Sequence, residues 1–266
     1  MTGLNRAVVQ SVIGLSIIAQ SAIAHTTDHV AAIDKTVLVE LFTSEGCSSC
    51  PPADRLLAEF VQHSPVPGVS VIALSEHVDY WDGLGWRDPF SNKQFTARQD
   101  RYAARFGPDK LYTPQMVVDG VTEFVGSDRR AAISALTKAA ARAKADVRVA
   151  WQSTTAPYRL AVDVSSAPTS DVWMAVTEDG LTTDVKRGEN AGKSLPHTGV
   201  TRSLKKIGET SAAGAFSMTP SVSVERGWSV PALRVVVFVQ ATYQGTVSGA
   251  SALRFAAAEP LPLVRR

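Results

Sequence analysis

Cysteine is scarce in this chain of 266 residues, where Cys47 and Cys50 are the only two. A bridge between them would close a very small ring, so it would restrict the unfolded chain, and thereby stabilise the fold, very little. Secreted proteins that use disulfides as structural cross-links normally carry more cysteines at wider spacing. We therefore expect this pair to serve chemistry rather than stability.

The sequence also lacks an excess of charge, a long apolar run after its first residues and a glycine-rich phosphate loop. Lys and Arg total 27 against 25 Asp and Glu, with no basic block, so we expect no nucleic-acid partner. Beyond residues 1–24, no stretch approaches the ~18 continuous apolar residues that cross a bilayer. We expect neither a membrane-embedded mature chain nor an organic cofactor.

Residues 1–24 have the pattern of a secretory signal peptide. Arg6 is followed by an apolar stretch at residues 12–19, which is too short and too polar for a membrane anchor. The segment ends in the small residues that signal peptidase requires, Ala22 and Ala24. The sequence therefore predicts a cleaved signal peptide, a linker at residues 25–34, and a periplasmic or secreted protein.

The segment around the cysteines predicts a β-α-β unit. Residues 36–42 and 69–74 are short runs rich in branched apolar residues, which is typical of buried strands. Pro51 and Pro52 predict the first turn of a helix between them, because proline is tolerated where helix amides lack partners. The cysteines are therefore expected at the amino end of this helix.

The remaining chain predicts more helices first and mainly strands later. Residues 89–106 and 128–144 have helical spacing, and the Asp119-Gly120 turn predicts a β-hairpin. After residue 146 the apolar segments have no helical pattern; they are residues 147–151, 158–164, 172–177, 200–207 and 234–243. We predict an α/β fold, with an α/β domain at residues 35–146 and a smaller β-rich, sandwich-like domain at residues 147–266.

Thiol–disulfide exchange is the chemistry that this arrangement favours. Free amides and the dipole at a helix start stabilise a thiolate, so the thiol pKa falls below its usual ~8.5. Cys47 is the expected nucleophile, and Cys50, deeper along the helix, is expected to resolve the mixed disulfide. Thr113 and Pro114 precede the predicted hairpin, where Pro114 would align a substrate backbone and Thr113 would contact it. The expected partners are protein or small-molecule thiols and disulfides.

The order of strand, C-x-x-C, helix, strand, helix, Thr-Pro hairpin and helix resembles the thioredoxin fold. The string VELFTSEGCSSCPPAD at residues 39–54 resembles a narrower group, as do HVDYWD at 77–82 and RGENAG at 187–192 with His197. That group is the uncharacterised bacterial secreted family called domain of unknown function 1223. The resemblance implies a thioredoxin-like domain in the first half of the chain and no assigned reaction.

Two further expectations follow from the thioredoxin resemblance and from fold geometry. In thioredoxins a buried acid near the resolving cysteine assists proton removal. Glu40 is the nearest candidate here, one residue off the expected register, and a solvated charge at the strand end is the alternative interpretation. The loop after a strand's carboxyl end lies on the same sheet edge as the cysteines, so Tyr80 and Trp81 are candidate substrate contacts. Because Gly46 replaces the usual tryptophan and the central dipeptide is Ser-Ser, a thioredoxin reduction potential cannot be transferred to this pair.

Several polar residues have a simpler structural interpretation. We expect His77 to be a hydrogen-bonded loop histidine, and Glu189, Asn190 and His197 to belong to a structured turn. The arginines of the second helix are expected to form a solvated face; they are Arg98, Arg101 and Arg105.

Two alternatives from another functional class stay open. A zinc site is not predicted, because two thiolates need two further ligands and no second cysteine pair exists. A copper-binding module that recruits His77, or Met116 beside Pro114, remains an alternative, since soft ligands suit cuprous ions. A partner-docking module that merely retains its disulfide is the other.

Overall fold

In the computed structural model of this chain, the described residues are 35–107 and 109–255. The signal peptide predicted at residues 1–24 and the linker predicted at residues 25–34 lie outside them. Among the described residues, no helix combines the length and the apolar character needed to cross a bilayer.

The described chain begins with the predicted strand–helix–strand unit. β1 (Lys35–Thr43) pairs in parallel with β2 (Val69–His77), and α1 (Pro51–Gln62) connects them. The two prolines occupy the first turn of α1, and apolar side chains at helical spacing, such as Leu57 and Phe60, are buried.

The next elements also follow the prediction, with shifted ends. They are α2 (Lys93–Phe106), β3 (Gln115–Val118), β4 (Thr122–Val125) and α3 (Arg129–Ala140). α2 begins later than predicted because the Asn92 side chain caps it, accepting a hydrogen bond from the Gln94 amide. Asp119 and Gly120 both have positive φ, 46° and 65°, which suits the tight turn of the β3–β4 hairpin.

The described residues after 146 form strands and no α-helix, as predicted. The strands are β5 (Asp146–Ser153), β6 (Tyr158–Ser165), β7 (Asp171–Glu178), β8 (Leu181–Asp184), β9 (Ser194–His197), β10 (Val200–Glu209), β11 (Phe216–Met218), β12 (Ser221–Val222), β13 (Leu233–Gln240) and β14 (Val247–Arg254).

Strands from both halves of the chain share one mixed sheet of eight strands. Their order is β14–β13–β7–β10–β2–β1–β3–β4. The two halves join where Val200 of β10 pairs in parallel with Ser75 of β2. The fold is therefore mixed α/β with one large sheet, and the domain boundary predicted at residue 146 crosses a continuous sheet. The described residues also fall within one compact unit.

A second, smaller sheet packs on the large one. β5, β6, β11 and β12 form this antiparallel sheet. Its buried Leu160 and Val162 share an apolar cluster with Val235 and Val237 of β13. Two sheets therefore pack face to face in the second half, but one of them is the sheet that the first half also uses.

Helices cover both faces of the large sheet. Val39 and Leu41 of β1 lie in the apolar cluster that includes residues of α1 and α3, whereas Leu38 lies in a cluster with Phe95 of α2. Successive strand residues point to opposite faces, so α1 and α2 lie on opposite sides of β1.

The predicted solvated face of α2 is wrong for Arg98, which has no exposed surface. Its Nε donates to Glu40 Oε1 at 2.5 Å, and its Nη2 donates to Gln240 Oε1 at 2.9 Å. The guanidinium also lies over the Trp173 ring, 5.5 Å from its centroid. The sequence does not predict the burial of Arg98, because its partners come from β1, β7 and β13, which meet only in the folded sheet. Arg101 is exposed.

Candidate functional site at the Cys47–Cys50 disulfide

Cys47 and Cys50 form a disulfide at the amino end of α1, with their Cα atoms 5.4 Å apart. Cys50 is the residue before the first helical turn, and its amide donates to the Cys47 carbonyl at 3.2 Å. Both cysteines have no exposed surface, although Ser48 and Ser49 between them are exposed. The predicted placement at a helix start is confirmed; the catalytic roles stay predictions.

The parallel pairing of β1 and β2 fixes this position. Thr43 ends β1 opposite His77, which ends β2, so the loops that follow both strands leave from one edge of the sheet. One loop carries the cysteines into α1 and the other carries Tyr80 and Trp81. In open α/β sheets this edge, at the carboxyl ends of the strands, is where ligands usually bind.

Thr113 and Pro114 lie near the end of β1 from which the cysteine loop also leaves. The Thr113–Pro114 peptide bond is cis, and the next residue, Gln115, pairs with Phe42 near the end of β1. A β-carbon added to Gly126 would lie 3.0 Å from Ala53 Cβ and 3.3 Å from Pro114 Cβ. Pro114 therefore sits against the first turn of α1, which starts directly after Cys50.

Tyr80 and Trp81 lie at the same edge. Trp81 Nε1 donates to Thr113 Oγ1 at 2.8 Å, and a β-carbon on Gly46 would lie 3.1 Å from Trp81 Cβ. The glycine before Cys47 thus allows the Trp81 side chain to pack close to the cysteine loop. Tyr80 is 41 % exposed and donates to Gln99 Oε1, and its burial raises the pKa of the phenol to about 12. Substrate contact by these two residues stays a prediction.

The structure does not bring Glu40 to the cysteines. Val39 and Leu41 pack on the α1 side of β1, so the alternation of side chains points Glu40 to the α2 side. There its carboxylate accepts from Arg98 Nε and from the Tyr102 hydroxyl, each at 2.5 Å. The buried network explains why this strand carries an acid. A role for Glu40 in proton transfer to sulfur is not needed to explain it.

The site instead contains five ionisable residues, four buried and Asp54 half-buried, that we call the acid–histidine cluster: Glu45, Asp54, His77, Asp88 and His197. His77 Nδ1 lies 2.7 Å from Asp88 Oδ2, and His197 Nε2 lies 2.9 Å from Glu45 Oε1. Asp54, in the first turns of α1, accepts from the Thr43 hydroxyl at 2.9 Å. Sequence analysis gave His77 and His197 structural interpretations; the Glu45–His197 contact joins residues 152 apart in the chain, which the sequence alone does not show.

The loop at residues 185–193, between β8 and β9, binds the cysteine loop. The Asn190 side-chain amide donates to the carbonyls of Glu45 and Cys47 at 2.8 and 2.9 Å, and Asn190 has no exposed surface. Glu189 Oε2 accepts from the Ser48 amide at 3.0 Å. The turn predicted here therefore also contacts the segment that carries the two cysteines. The RGENAG string in the family resemblance was the sequence signal that pointed to this loop.

Burial and charge shift several pKa values at the site. Burial raises the pKa of the Asp54 carboxyl above its usual range, and the neighbouring imidazoles and the Thr43 hydroxyl offset only part of the rise. Burial lowers the pKa of His77, but Asp88 and the other carboxylates outweigh it and raise the pKa above its ordinary value. The hydrogen bond from Ser48 lowers the pKa of Glu189.

Metal ligation was a sequence alternative at this position. Within residues 35–107 and 109–255, no group of three His, Cys, Asp or Glu side chains is arranged to hold a metal ion. Met116, beside the Thr-Pro segment, is buried in the apolar cluster with Leu41 and Ala53.

Comparison with known proteins gives a family and a fold. A crystal structure of protein AGR_C_4864 from Agrobacterium tumefaciens is similar to this chain with 27% identity and a TM-score of 0.65, covering 84% of this chain and 96% of that one. HBP35 of Porphyromonas gingivalis has 14% identity and a TM-score of 0.64, covering 88% and 79%. The second likeness concerns the fold alone. No protein with a curated description matches the chain.

A family model covers most of the described residues. It is described as "Protein of unknown function (DUF1223)" and matches residues 38–240, which include the cysteine loop and the loop at residues 185–193. The resemblance identified from residues 39–54 is thereby confirmed, and the chain belongs to the DUF1223 family.

Proposed function

We propose that this protein is an exported thiol–disulfide oxidoreductase on a thioredoxin-like domain. The observation that carries the proposal is the Cys47–Cys50 disulfide at the amino end of α1, where helix amides and the dipole favour a thiolate. The element order β1–α1–β2–α2–β3–β4–α3 and the strand order β2–β1–β3–β4 support a thioredoxin-like domain. Export is supported by the signal-peptide pattern of residues 1–24.

In the exchange reaction one disulfide bond breaks and one forms, and the number of protons is the same before and after. The Cys47 thiolate attacks a substrate disulfide and releases one substrate thiolate, leaving a mixed disulfide. Cys50 then loses its proton and attacks the Cys47 sulfur, which releases the second substrate thiolate and closes the Cys47–Cys50 bond. The opposite sequence of steps would donate the disulfide to a substrate.

We infer that Asp54, rather than Glu40, accepts the Cys50 proton. It lies one helical turn after Cys50, and its amide donates to the Cys50 carbonyl at 3.2 Å. Its carboxyl is buried and has a raised pKa, so it can hold a proton at a higher pH than an exposed acid can. In this proposal Pro114, near the same helical turn, aligns a substrate backbone.

The burial of both cysteines favours a second candidate function. Because neither residue has exposed surface, a substrate reaches Cys47 only if neighbouring side chains move. A partner-docking module with an inert disulfide needs no such movement. This candidate belongs to a different functional class and predicts a different redox behaviour.

The equilibrium reduction potential separates the two candidates. The mature protein is equilibrated with glutathione or dithiothreitol buffers, and its free thiols are counted by alkylation. A potential between roughly −120 and −270 mV, the span of known exchangers, supports the oxidoreductase. A potential below roughly −300 mV with slow exchange identifies the inert disulfide and sinks the oxidoreductase proposal.

Mixed-disulfide trapping tests the order of attack. In the Cys50→Ser variant, Cys47 keeps its thiol and should accumulate a mixed disulfide with oxidised glutathione or with an exported thiol protein. The matched Cys47→Ser variant should trap much less, because Cys50 lies deeper along the helix. Equal trapping by both variants would contradict the assignment of Cys47 as nucleophile.

A further inference from the structure

The acid–histidine cluster contains a buried pair of imidazoles that the proposed exchange reaction does not use. We call His77 and His197 the histidine pair; their ring centroids are 5.0 Å apart in an edge-to-face contact. Among the described residues, His77 Nε2 and His197 Nδ1 have no hydrogen-bond partner, and both residues are almost fully buried. Unpartnered buried polar atoms are rare in folded proteins, so each calls for an explanation.

A carboxylate holds each ring at its other nitrogen. Asp88 fixes His77 at Nδ1, and Asp88 is itself held by the Glu45 amide, which donates to its Oδ2 at 2.8 Å. Glu45 fixes His197 at Nε2, while the second Glu45 oxygen accepts from Trp86 Nε1 at 2.8 Å. Such anchoring sets the orientation of a ring and raises the basicity of the free nitrogen. Each ring therefore has one nitrogen fixed by a carboxylate and one buried nitrogen without a partner.

The charges that face the histidine pair are mainly negative. Asp54 faces it from α1, and Glu45 and Asp88 face it from the loops that follow β1 and precede α2. Arg202 of β10 lies over the ring of Phe90, and that ring contacts both imidazoles. Three carboxyl groups therefore surround two imidazoles, and of these carboxyls Asp54 has a pKa that burial raises, whereas the contact with His77 lowers that of Asp88.

The cluster is coupled to the cysteines through short covalent and hydrogen-bonded paths. Glu45 is two residues before Cys47, and Asn190 binds the carbonyls of both. Asp54 is one helical turn after Cys50, and α1 packs against β9, which carries His197. A thiolate formed at the amino end of α1 therefore adds negative charge next to the histidine pair, in a region where water screens little.

We propose that the histidine pair takes up a proton when the Cys47–Cys50 disulfide is reduced, so that thiolate and imidazolium form together. Reduction by a dithiol breaks the sulfur–sulfur bond and converts the dithiol to a disulfide. The two electrons go to the cysteine sulfurs; one of the two protons ends on Cys50 and the other on the histidine pair, with Cys47 as the thiolate. The proposal rests on the proposed function, since it requires the folded protein to exchange its disulfide.

NMR titration of the histidines in two redox states tests the proposal. Ring C–H shifts are followed against pH in the mature protein, first oxidised and then reduced with dithiothreitol. We expect proton affinity of the histidine pair to rise at least tenfold on reduction, whereas exposed His63 should titrate identically in both states. By linkage, proton uptake by the histidine pair then contributes the same tenfold change to the reduction equilibrium over that pH range, which is 29.6 mV for two electrons.

Histidine variants provide a second measurement, the pH dependence of the reduction equilibrium, which a purely structural role of the histidines would leave unchanged. The His77→Gln/His197→Gln double variant should lose this histidine contribution, so its pH profile of the reduction equilibrium should differ from that of the wild type, and the profile of His63→Gln should match the wild type. The wild-type spectra decide the question even if the double variant fails to fold. Histidine pKa values equal to within about 0.2 in both redox states would overturn the inference alone. A disulfide that dithiothreitol cannot reduce in the folded protein would overturn the oxidoreductase as well.

Discussion

Asn190 should be the residue outside the cysteine loop on which that loop depends most. Its side-chain amide is fully buried and bridges the carbonyls of Glu45 and Cys47. In Asn190→Ala the Cys47 carbonyl keeps its bond from the Cys50 amide, but the Glu45 carbonyl loses the donor that the structure gives it. An unsatisfied buried carbonyl costs about 1–3 kcal/mol and one further lost hydrogen bond about 1 kcal/mol.

The expected loss of unfolding free energy for Asn190→Ala is therefore about 2–4 kcal/mol. Urea unfolding of the oxidised protein measures it, and the m-value should not change. For a chain of this size Tm should fall by roughly 5–15 °C. Glu189→Gln is the matched control, because the adjacent exposed side chain should leave stability unchanged. A loss below about 0.5 kcal/mol for Asn190→Ala would refute the argument that this loop secures the dithiol segment.

Three other changes test the packing and charge of the site. Arg98→Met should lower the free energy of unfolding in urea by about 3–5 kcal/mol, because it leaves buried Glu40 and Glu76 without their cation. The double variant Glu40→Gln/Arg98→Met should recover part of this loss, and no recovery would contradict the pairing. Gly126→Ala places a β-carbon 2.9 Å from Leu41 Cδ1 and should cost about 1–3 kcal/mol, whereas Gly83→Ala meets open space and should be neutral; equal effects would argue against this contact. Since folding raises the pKa of Asp54, stability falls as pH rises from its ordinary 3.8 through the folded value, so Asp54→Asn should be the more stable protein at pH 7 and lose that advantage near pH 4. A stability difference that does not vary between those two pH values would contradict the sign.

Local sequence was sufficient to predict the elements that carry the cysteines. Branched apolar runs specified β1 and β2, paired prolines specified the start of α1, and the Asp119-Gly120 turn specified the β3–β4 hairpin. These predictions depend on backbone restrictions and side-chain periodicity within a few residues, and they hold wherever the segment is later placed. The helix-start position of Cys47 and Cys50 follows from them directly.

Contacts between distant segments decided the rest of the site. Glu40 and Arg98 were given the wrong surroundings because strand alternation alone does not show which helix covers each face of the sheet. His197 and Asn190 reach the cysteines only because β10 pairs with β2, which brings the loops of the second half to the edge where β1 and β2 end. The sequence by itself determined where a dithiol would lie. The eight-stranded sheet determined which acids, imidazoles and amides surround the dithiol, because the sequence of a strand does not show which distant strand it pairs with.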